Sequence, residues 1–176
     1  MKRIFLIGYM GAGKTTLGKM LARKMNLSYV DTDHYIENRY HKKISEIFAS
    51  EGEARFRDIE HRILLEVSEF EDLVISTGGG VPCFNDNMNI MNSLGTTIYL
   101  ETSEKELAAR LKESKNVRPV LKDHTGSEFI DFIKENLSKR KVFYEQAKIR
   151  FNAELMYAGA DVDELAENLK KLICDE

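Results

Sequence analysis

The stretch GYMGAGKTTLGKM, Gly8 to Met20, follows directly on the apolar run Ile4, Phe5, Leu6, Ile7. An apolar strand candidate, a glycine-rich turn and a helix-forming continuation, in that order, open a phosphate-binding α/β fold. Gly8, Gly13, Lys14 and Thr15 satisfy the pattern G-x-x-x-x-G-K-[S/T]. Glycines let backbone N–H groups turn toward phosphate oxygens with no side chain in the way, and the helix N-terminus adds partial positive charge. Lys14 is spaced to reach the β- and γ-phosphates, and the Thr15 hydroxyl to bind Mg²⁺. At ordinary residue usage a chain of this length gives fewer than about one chance match in a hundred. Such a cradle serves kinases, ATPases, GTPases and passive nucleotide switches alike, so the receiver of the phosphate has to be read from the rest of the chain.

Outward from the loop, short apolar runs alternate with longer helical patterns. The strand candidates are Arg3 to Ile7, Ser28 to Val30, Leu73 to Ser76, Thr97 to Leu100 and Ile149 to Asn152. Strand, helix, strand in repetition means a parallel sheet covered on both faces. The closing segment DVDELAENLKKLIC puts Val162, Leu165, Ala166, Leu169, Leu172 and Ile173 on one helical face, which reads as a packing helix. Ser114 to Ser127, SKNVRPVLKDHTGS, breaks the pattern. It is polar, holds Pro119 and Gly126 and lies between two helical stretches, as a lid does. A single domain over residues 1–176 is expected, since this length supports one well-buried core and is too short for two ordinary domains.

The composition is 43% hydrophobic and 31% charged with a net charge of −3, which gives no reason to expect nucleic acid as a partner. Cys83 and Cys174 are far apart and form no C-x-x-C pair, which fits a reducing cytoplasm and offers neither a zinc site nor a disulfide framework. The start MKRIFLIGYMGAGK has the basic-then-apolar look of a signal peptide, but Gly8 interrupts the apolar run and Lys14 follows closely. No stretch approaches the ~20 apolar residues of a membrane span. A cytoplasmic monomer without membrane contact is expected.

The metal and the acceptor are read from four further stretches. LVIS, the obvious strand for a metal-binding Asp, ends in TGGG with no carboxylate. YVDTD offers Asp31 and Asp33 instead, which two-residue strand alternation would point the same way at the ligand edge of the sheet; a helix N-cap, with Asp33 before HYIE, is the plainer alternative. ARFRDIEHR carries Arg55, Arg57 and Arg62, which serve either an anion or the i,i+4 pairs Glu53–Arg57 and Asp58–Arg62. STGGGV places Gly78, Gly79 and Gly80 at the sheet's edge, suiting close backbone approach to a ligand or a flexible turn. SKRKVFYEQA carries Arg140, which by itself reads as a basic helix face. Arginine suits bidentate carboxylate recognition, and an Asp suits accepting a proton from, or orienting, an alcohol. Together they describe a small hydroxylated acid phosphorylated on oxygen, with Arg118 in NVRP as a lid-borne cation for the transferring phosphate.

GYMGAGKTT, YVDTDHYIE, ISEIFASEGEARFRDIE, STGGGV and VRPVL, in this order and spacing, resemble the shikimate kinase family from the first strand through at least Arg140. The resemblance implies a three-layer αβα P-loop fold of the nucleoside-monophosphate-kinase type. It would have a five-stranded parallel sheet in the order 2-3-1-4-5, a substrate-binding segment at about 33–62 and a lid at about 114–127. It implies ATP-dependent phosphorylation of the shikimate 3-hydroxyl, a step toward chorismate and the aromatic amino acids, with Mg²⁺ as metal cofactor. Carried over by motif, Asp33 would bind the shikimate hydroxyls as base or orienting group, and Arg57 and Arg140 would hold the carboxylate. Gly78, Gly79 and Gly80 would contact the ring side, and Phe48 and Phe56 would wall the pocket. Gly11, Ala12, Gly13, Lys14, Thr15 and Thr16 would cradle the nucleotide, with Lys14 and Arg118 acting on its phosphates. Thr15, and Asp31 through water, would serve Mg²⁺, and Arg110 resembles a residue that stacks on adenine.

The sequence departs from the family pattern after the last strand. Many relatives carry an Ile/Val-Asp segment and then a proline of the adenine pocket, whereas IRFNAELMYAGADVDE has no proline. Relaxed base selectivity is the hypothesis this raises. Rival readings are a gluconate or nucleoside-monophosphate kinase of the same architecture and, from another class, a nucleotide switch. The chain has no Asn/Thr-Lys-x-Asp guanine-reading motif, and a switch has little use for a second carboxylate beside the metal site.

Overall fold

In the computed structural model, which describes residues 2–113, 127–154 and 161–174, β1 (Arg3–Ile7) is the middle strand of a five-stranded sheet. The order is β2-β3-β1-β4-β5, and all four pairings are parallel. β2 is Ser28–Asp31, β3 Leu73–Ser76, β4 Thr96–Glu101 and β5 Ile149–Asn152. Burial on both faces explains why β1 reads as a continuous apolar run, with Ile4, Phe5, Leu6 and Ile7 at most 1% exposed. β5, at the edge, alternates instead: Ile149 and Phe151 point inward, Arg150 and Asn152 outward. The strands lie where the apolar runs placed them, except that β2 continues to Asp31 and β4 reaches from Thr96 to Glu101.

The helices are α1 (Lys14–Met25), α2 (Thr32–Tyr40), α3 (Ile44–Val67), α4 (Asn87–Leu94), α5 (Glu104–Glu113), α6 (Ser127–Tyr144) and α7 (Val162–Cys174), with a 3₁₀ turn at Val81–Cys83. The β1-to-β2 crossover runs toward one edge and the later crossovers toward the other. Right-handed connections therefore set α1 on one face and α3, α4 and α6 on the opposite one, and α7 packs against α1. Loops after β1 and β3 part toward opposite faces, which opens a crevice at the strands' C-terminal ends. The register Leu6↔Ser76 and Asp31↔Ser76 levels the ends of β1, β2 and β3 there, so the residues that follow share one rim.

α3 is two helical segments joined at Gly52, whose φ of 79° and ψ of 171° lie outside helical space. The break re-aims the first segment, which carries Phe48, relative to the second, which carries Phe56 and Arg57. On α7, Leu165, Ala166, Leu169 and Ile173 are buried as the pattern requires, but Leu172 is 46% exposed. The buried stripe there is narrower than the six apolar residues suggested. The lid at 114–127, with Arg118, lies outside the described residues apart from Ser127, where α6 begins.

Candidate active site

The loop between β1 and α1 turns on positive φ values at Gly8 (142°), Gly11 (82°) and Gly13 (91°). At Gly8 a side chain is also excluded by space, because a Cβ would lie 2.9 Å from the Leu100 carbonyl oxygen. Gly13 caps α1 in the left-handed region with no side-chain hydrogen bond, and the first turn has no acidic residue. The opening N–H groups of α1, at Lys14, Thr15 and Thr16, thus face a site suited to an anion. Ala12 is buried beneath the loop, and its N–H donates to the Tyr9 carbonyl at 3.2 Å. Lys14 Nζ bends back over the loop and donates to the carbonyls of Gly8 at 2.7 Å and Tyr9 at 2.9 Å.

Thr15 Oγ1 donates to Asp31 Oδ2 at 2.9 Å, which joins the start of α1 to the end of β2. The other Asp31 oxygen caps α2, accepting from the N–H groups of Asp33 at 3.1 Å and His34 at 3.4 Å. The strand alternation expected of Asp31 and Asp33 does not apply, because β2 ends at Asp31 and α2 starts at Thr32. Asp31, not Asp33, is the cap, and helical geometry turns Asp33 away from it. A hydroxyl and a carboxylate oxygen at one spot are hard oxygen donors of the kind Mg²⁺ takes. No cluster of three or more His, Cys, Asp or Glu suited to a metal occurs among the described residues. That donor set fits an ion held by one or two protein oxygens together with phosphate.

Asp33 meets the glycine turn after β3. The turn is pinned from three sides: Ser76 Oγ donates to the Lys14 carbonyl (3.0 Å), Gly78 N–H to Thr32 Oγ1 (3.1 Å), and Tyr144 Oη to the Gly79 carbonyl (2.6 Å). The lack of side chains at Gly78 and Gly80 leaves room for neighbouring charged side chains. A Cβ on Gly78 would lie 2.7 Å from Asp33 Oδ1 and 2.8 Å from Glu60 Oε1, and one on Gly80 would lie 2.4 Å from Arg57 Nη1. A Cβ on Gly79 would lie 3.4 Å from the Gly8 carbonyl oxygen and 3.5 Å from Arg140 Nη1. Asp33, Arg57 and Arg140, contributed by α2, α3 and α6, therefore converge on one turn beside the phosphate loop.

Of the three arginines of ARFRDIEHR, Arg55 and Arg62 are exposed and only Arg57 enters the site. Its guanidinium pairs with Glu60 at 2.6 Å and Glu53 at 3.0 Å and lies 4.4 Å from the Phe84 ring centroid, with Phe56 and Phe48 near 5.6 and 5.8 Å. Burial lowers the Arg57 pKa, but the Glu60 charge and hydrogen bond with those of Glu53 outweigh it, so the group is held above its ordinary value. Arg57 Nε is buried without a hydrogen-bond partner among the described residues. The Phe48 and Phe56 rings lie 4.4 Å apart at their centroids, tilted by 40°. Arg140 lies over the Tyr9 ring at 5.3 Å.

Sequence reading missed Glu60, Tyr9, Phe84 and Tyr144. The readable signal for Glu60 was a carboxylate inside the buried stripe Phe56, Ile59, Ile63, Leu64 of α3. The others are reached only through the tertiary fold. Arg110, for which the resemblance implied stacking on adenine, lies near the end of α5 with Nε bonded to Glu106, Nη1 to the Gly11 carbonyl, and Nη2 to the Ala153 and Glu154 carbonyls.

The family model for shikimate kinase matches residues 10–170. A shikimate kinase of Parabacteroides distasonis is 56% identical over 173 residues, covering 98% of this chain and all of the relative. Among solved structures, a shikimate kinase from Bacteroides thetaiotaomicron superposes with a TM-score of 0.94 at 48% identity, covering 97% of each chain. Another, from Acinetobacter baumannii in complex with shikimate, has a TM-score of 0.88 at 31% identity, covering 99% of this chain and 94% of that one.

Proposed function

The chain belongs to the shikimate kinase family, and on that footing we propose that it transfers the γ-phosphoryl group of ATP to the 3-hydroxyl of shikimate. The observation that carries this reading is the convergence of Asp33, Arg57 and Arg140 on the Gly78–Gly80 turn beside the phosphate loop. One carboxylate and two guanidinium groups around a glycine floor suit a small acid that also bears hydroxyls.

In the proposed reaction Arg57 and Arg140 hold the substrate carboxylate, and Phe48 and Phe56 wall the ring. Asp33 orients the hydroxyl and takes its proton as the oxygen forms its bond to the γ-phosphorus. The bond from that phosphorus to the β-bridging oxygen breaks, giving ADP and shikimate 3-phosphate. Lys14 moves from the Gly8 and Tyr9 carbonyls onto the phosphates, and Gly11 to Thr16 supply the cradle. Thr15 and Asp31 would hold Mg²⁺, which when bound neutralises phosphate charge. Arg118 adds a second cation from the lid.

The proposal further includes a monomer in the cytoplasm, organised as one kinase domain, with no nucleic-acid partner. The net charge of −3 and the free Cys83 and Cys174 support it. Among the described residues no helix is long and apolar enough to cross a membrane. The decisive experiment follows ADP release from MgATP with shikimate, gluconate, AMP or no acceptor. Turnover that depends on shikimate alone is expected. Turnover with another acceptor would overturn the roles of Arg57 and Arg140, and nucleotide binding with no turnover would return the chain to a switch.

A further inference from the structure

The glycine turn after β3 is closed by the Val81 N–H, which donates to the Gly78 carbonyl at 3.1 Å, so Gly79 and Gly80 are its two central residues. Gly80 has φ −88° and ψ −21°, the third position of a type I β-turn. A type II turn joins the same ends with the central peptide flipped, and needs at that position a positive φ, which glycine adopts freely. Chain geometry therefore leaves the Gly79–Gly80 peptide two orientations. The peptides around it are tied, Gly78 N–H to Thr32 Oγ1 at 3.1 Å and Cys83 N–H to the Gly80 carbonyl at 2.9 Å. The Gly79–Gly80 peptide itself has one tie among the described residues, from Tyr144 Oη to the Gly79 carbonyl at 2.6 Å.

Tyr144 is built to hold that tie. It closes α6, its side chain is fully buried, and its ring lies 5.1 Å from the Tyr99 ring. Burial pushes the phenol far above its ordinary pKa, opposed only in part by the charge of Arg140 one turn back on α6, so the hydroxyl remains a donor. The peptide is trans, and its N–H points opposite to its carbonyl. With the Gly79 carbonyl drawn to Tyr144, the Gly80 N–H points away from Tyr144 and donates to no group among the described residues. We infer that Tyr144 is a positioning residue whose hydroxyl selects the type I form of the turn, and so presents the Gly80 N–H to the acceptor between Asp33, Arg57 and Arg140. The flipped form would set a carbonyl oxygen where that donor stands, against the oxygens of a hydroxylated acid. The inference rests on the kinase reading for the identity of the acceptor.

The test compares wild type with Tyr144→Phe, which keeps the ring and loses only the hydroxyl. Tyr99→Phe is the control, because the Tyr99 hydroxyl makes no hydrogen bond among the described residues. Calorimetry should give Tyr144→Phe a Kd for shikimate raised by roughly 3- to tenfold, the scale of one hydrogen bond, with the Kd for ATP unchanged and Tyr99→Phe like wild type in both. The Gly80 amide signal in NMR should shift or double in Tyr144→Phe and stay in place in Tyr99→Phe. A lowered Tm with an unchanged Kd for shikimate would make Tyr144 a structural residue only and overturn the inference. Should Tyr144→Phe fail to fold, titration of the wild type decides: shikimate should move the Gly80 amide signal, and a signal that stays in place would overturn the inference as well. A wild type that phosphorylates another acceptor would sink the proposed function, and the same rise in Kd for that acceptor in Tyr144→Phe would leave this inference standing.

Discussion

Arg57 Nη1 lies 2.6 Å from Glu60 Oε2, one turn apart on α3, and the Glu60 side chain is only 3% exposed. The guanidinium therefore has part of its charge already matched, with its buried Nε as a donor that lacks a hydrogen-bond partner among the described residues. Glu60 sets the aim of that donor, because a planar fork fixed at one end presents the rest in a defined direction.

Arg57→Ala is expected to weaken acceptor binding by roughly 1.5 to 3 kcal/mol, the scale of hydrogen bonds to a charged group. It should leave the KM for ATP near wild type. Steady-state kinetics with each substrate varied in turn checks it. An unchanged KM for shikimate would return Arg57 to the surface ion-pair role with Glu53.

Glu60→Ala removes a buried carboxylate from beneath a buried cation, and such a change costs about 3 kcal/mol of stability when one partner stays uncompensated. Glu53, more exposed, offsets part of that loss. Urea denaturation of the variant measures it, and a midpoint equal to wild type would show that Arg57 finds solvent once the pair is broken.

Asp33→Ala should lower turnover by about 10²- to 10⁴-fold with ATP binding nearly intact, as expected for loss of a base or orienting group. Asp31 carries the cap of α2, so little stability should be lost. Normal turnover would exclude Asp33 from the chemistry.

The three glycines should differ in their response to a methyl group. At Gly80 and Gly78 a Cβ falls within 3.0 Å of Arg57 and Asp33, so Gly80→Ala should raise the KM for shikimate and Gly78→Ala should lower kcat. Overpacking of roughly 1–3 kcal/mol corresponds to effects of about 5- to 150-fold. At Gly79 the nearest atoms stand at 3.4 Å, and Gly79→Ala should be the mildest of the three. Equal effects at all three positions would contradict the greater clearance around Gly79.

Burial pushes the Cys83 thiol up to about 11, only partly opposed by Arg140 and Arg57. At pH 8 about one molecule in a thousand then carries the reactive thiolate. Iodoacetamide should label the exposed Cys174 first and reach Cys83 quickly only in denaturant. Because the folded pKa is raised, any stability this thiol contributes is present below the ordinary thiol value and is lost as pH rises toward 11. Rapid labelling of native Cys83 at pH 8, read by peptide mass spectrometry, would contradict its raised thiol pKa.

The sequence by itself determined the architecture and the phosphate chemistry, because both depend on local patterns. The unbroken apolar run of β1 requires burial on both faces, and G-x-x-x-x-G-K-T after a strand leaves the backbone one main use. It also supplied Asp33, Arg57, Arg140 and the three glycines through a resemblance carried by order and spacing, though local pattern alone left Arg57 balanced between substrate and salt bridge. The tertiary structure turned Arg57 inward beside Gly80 and kept its ion pairs with Glu53 and Glu60, while Arg55 and Arg62 stayed in solvent. It also placed the cap of α2 at Asp31, where the strand ended one residue later than its apolar pattern, so the strand alternation expected of Asp31 and Asp33 does not apply. Tyr144 beneath Gly79 and Arg110 beneath Gly11 are contacts across 65 and 99 residues. Periodicity reports which face of an element is buried, but the partner waiting there is set by how distant elements pack, and no local window of sequence contains it.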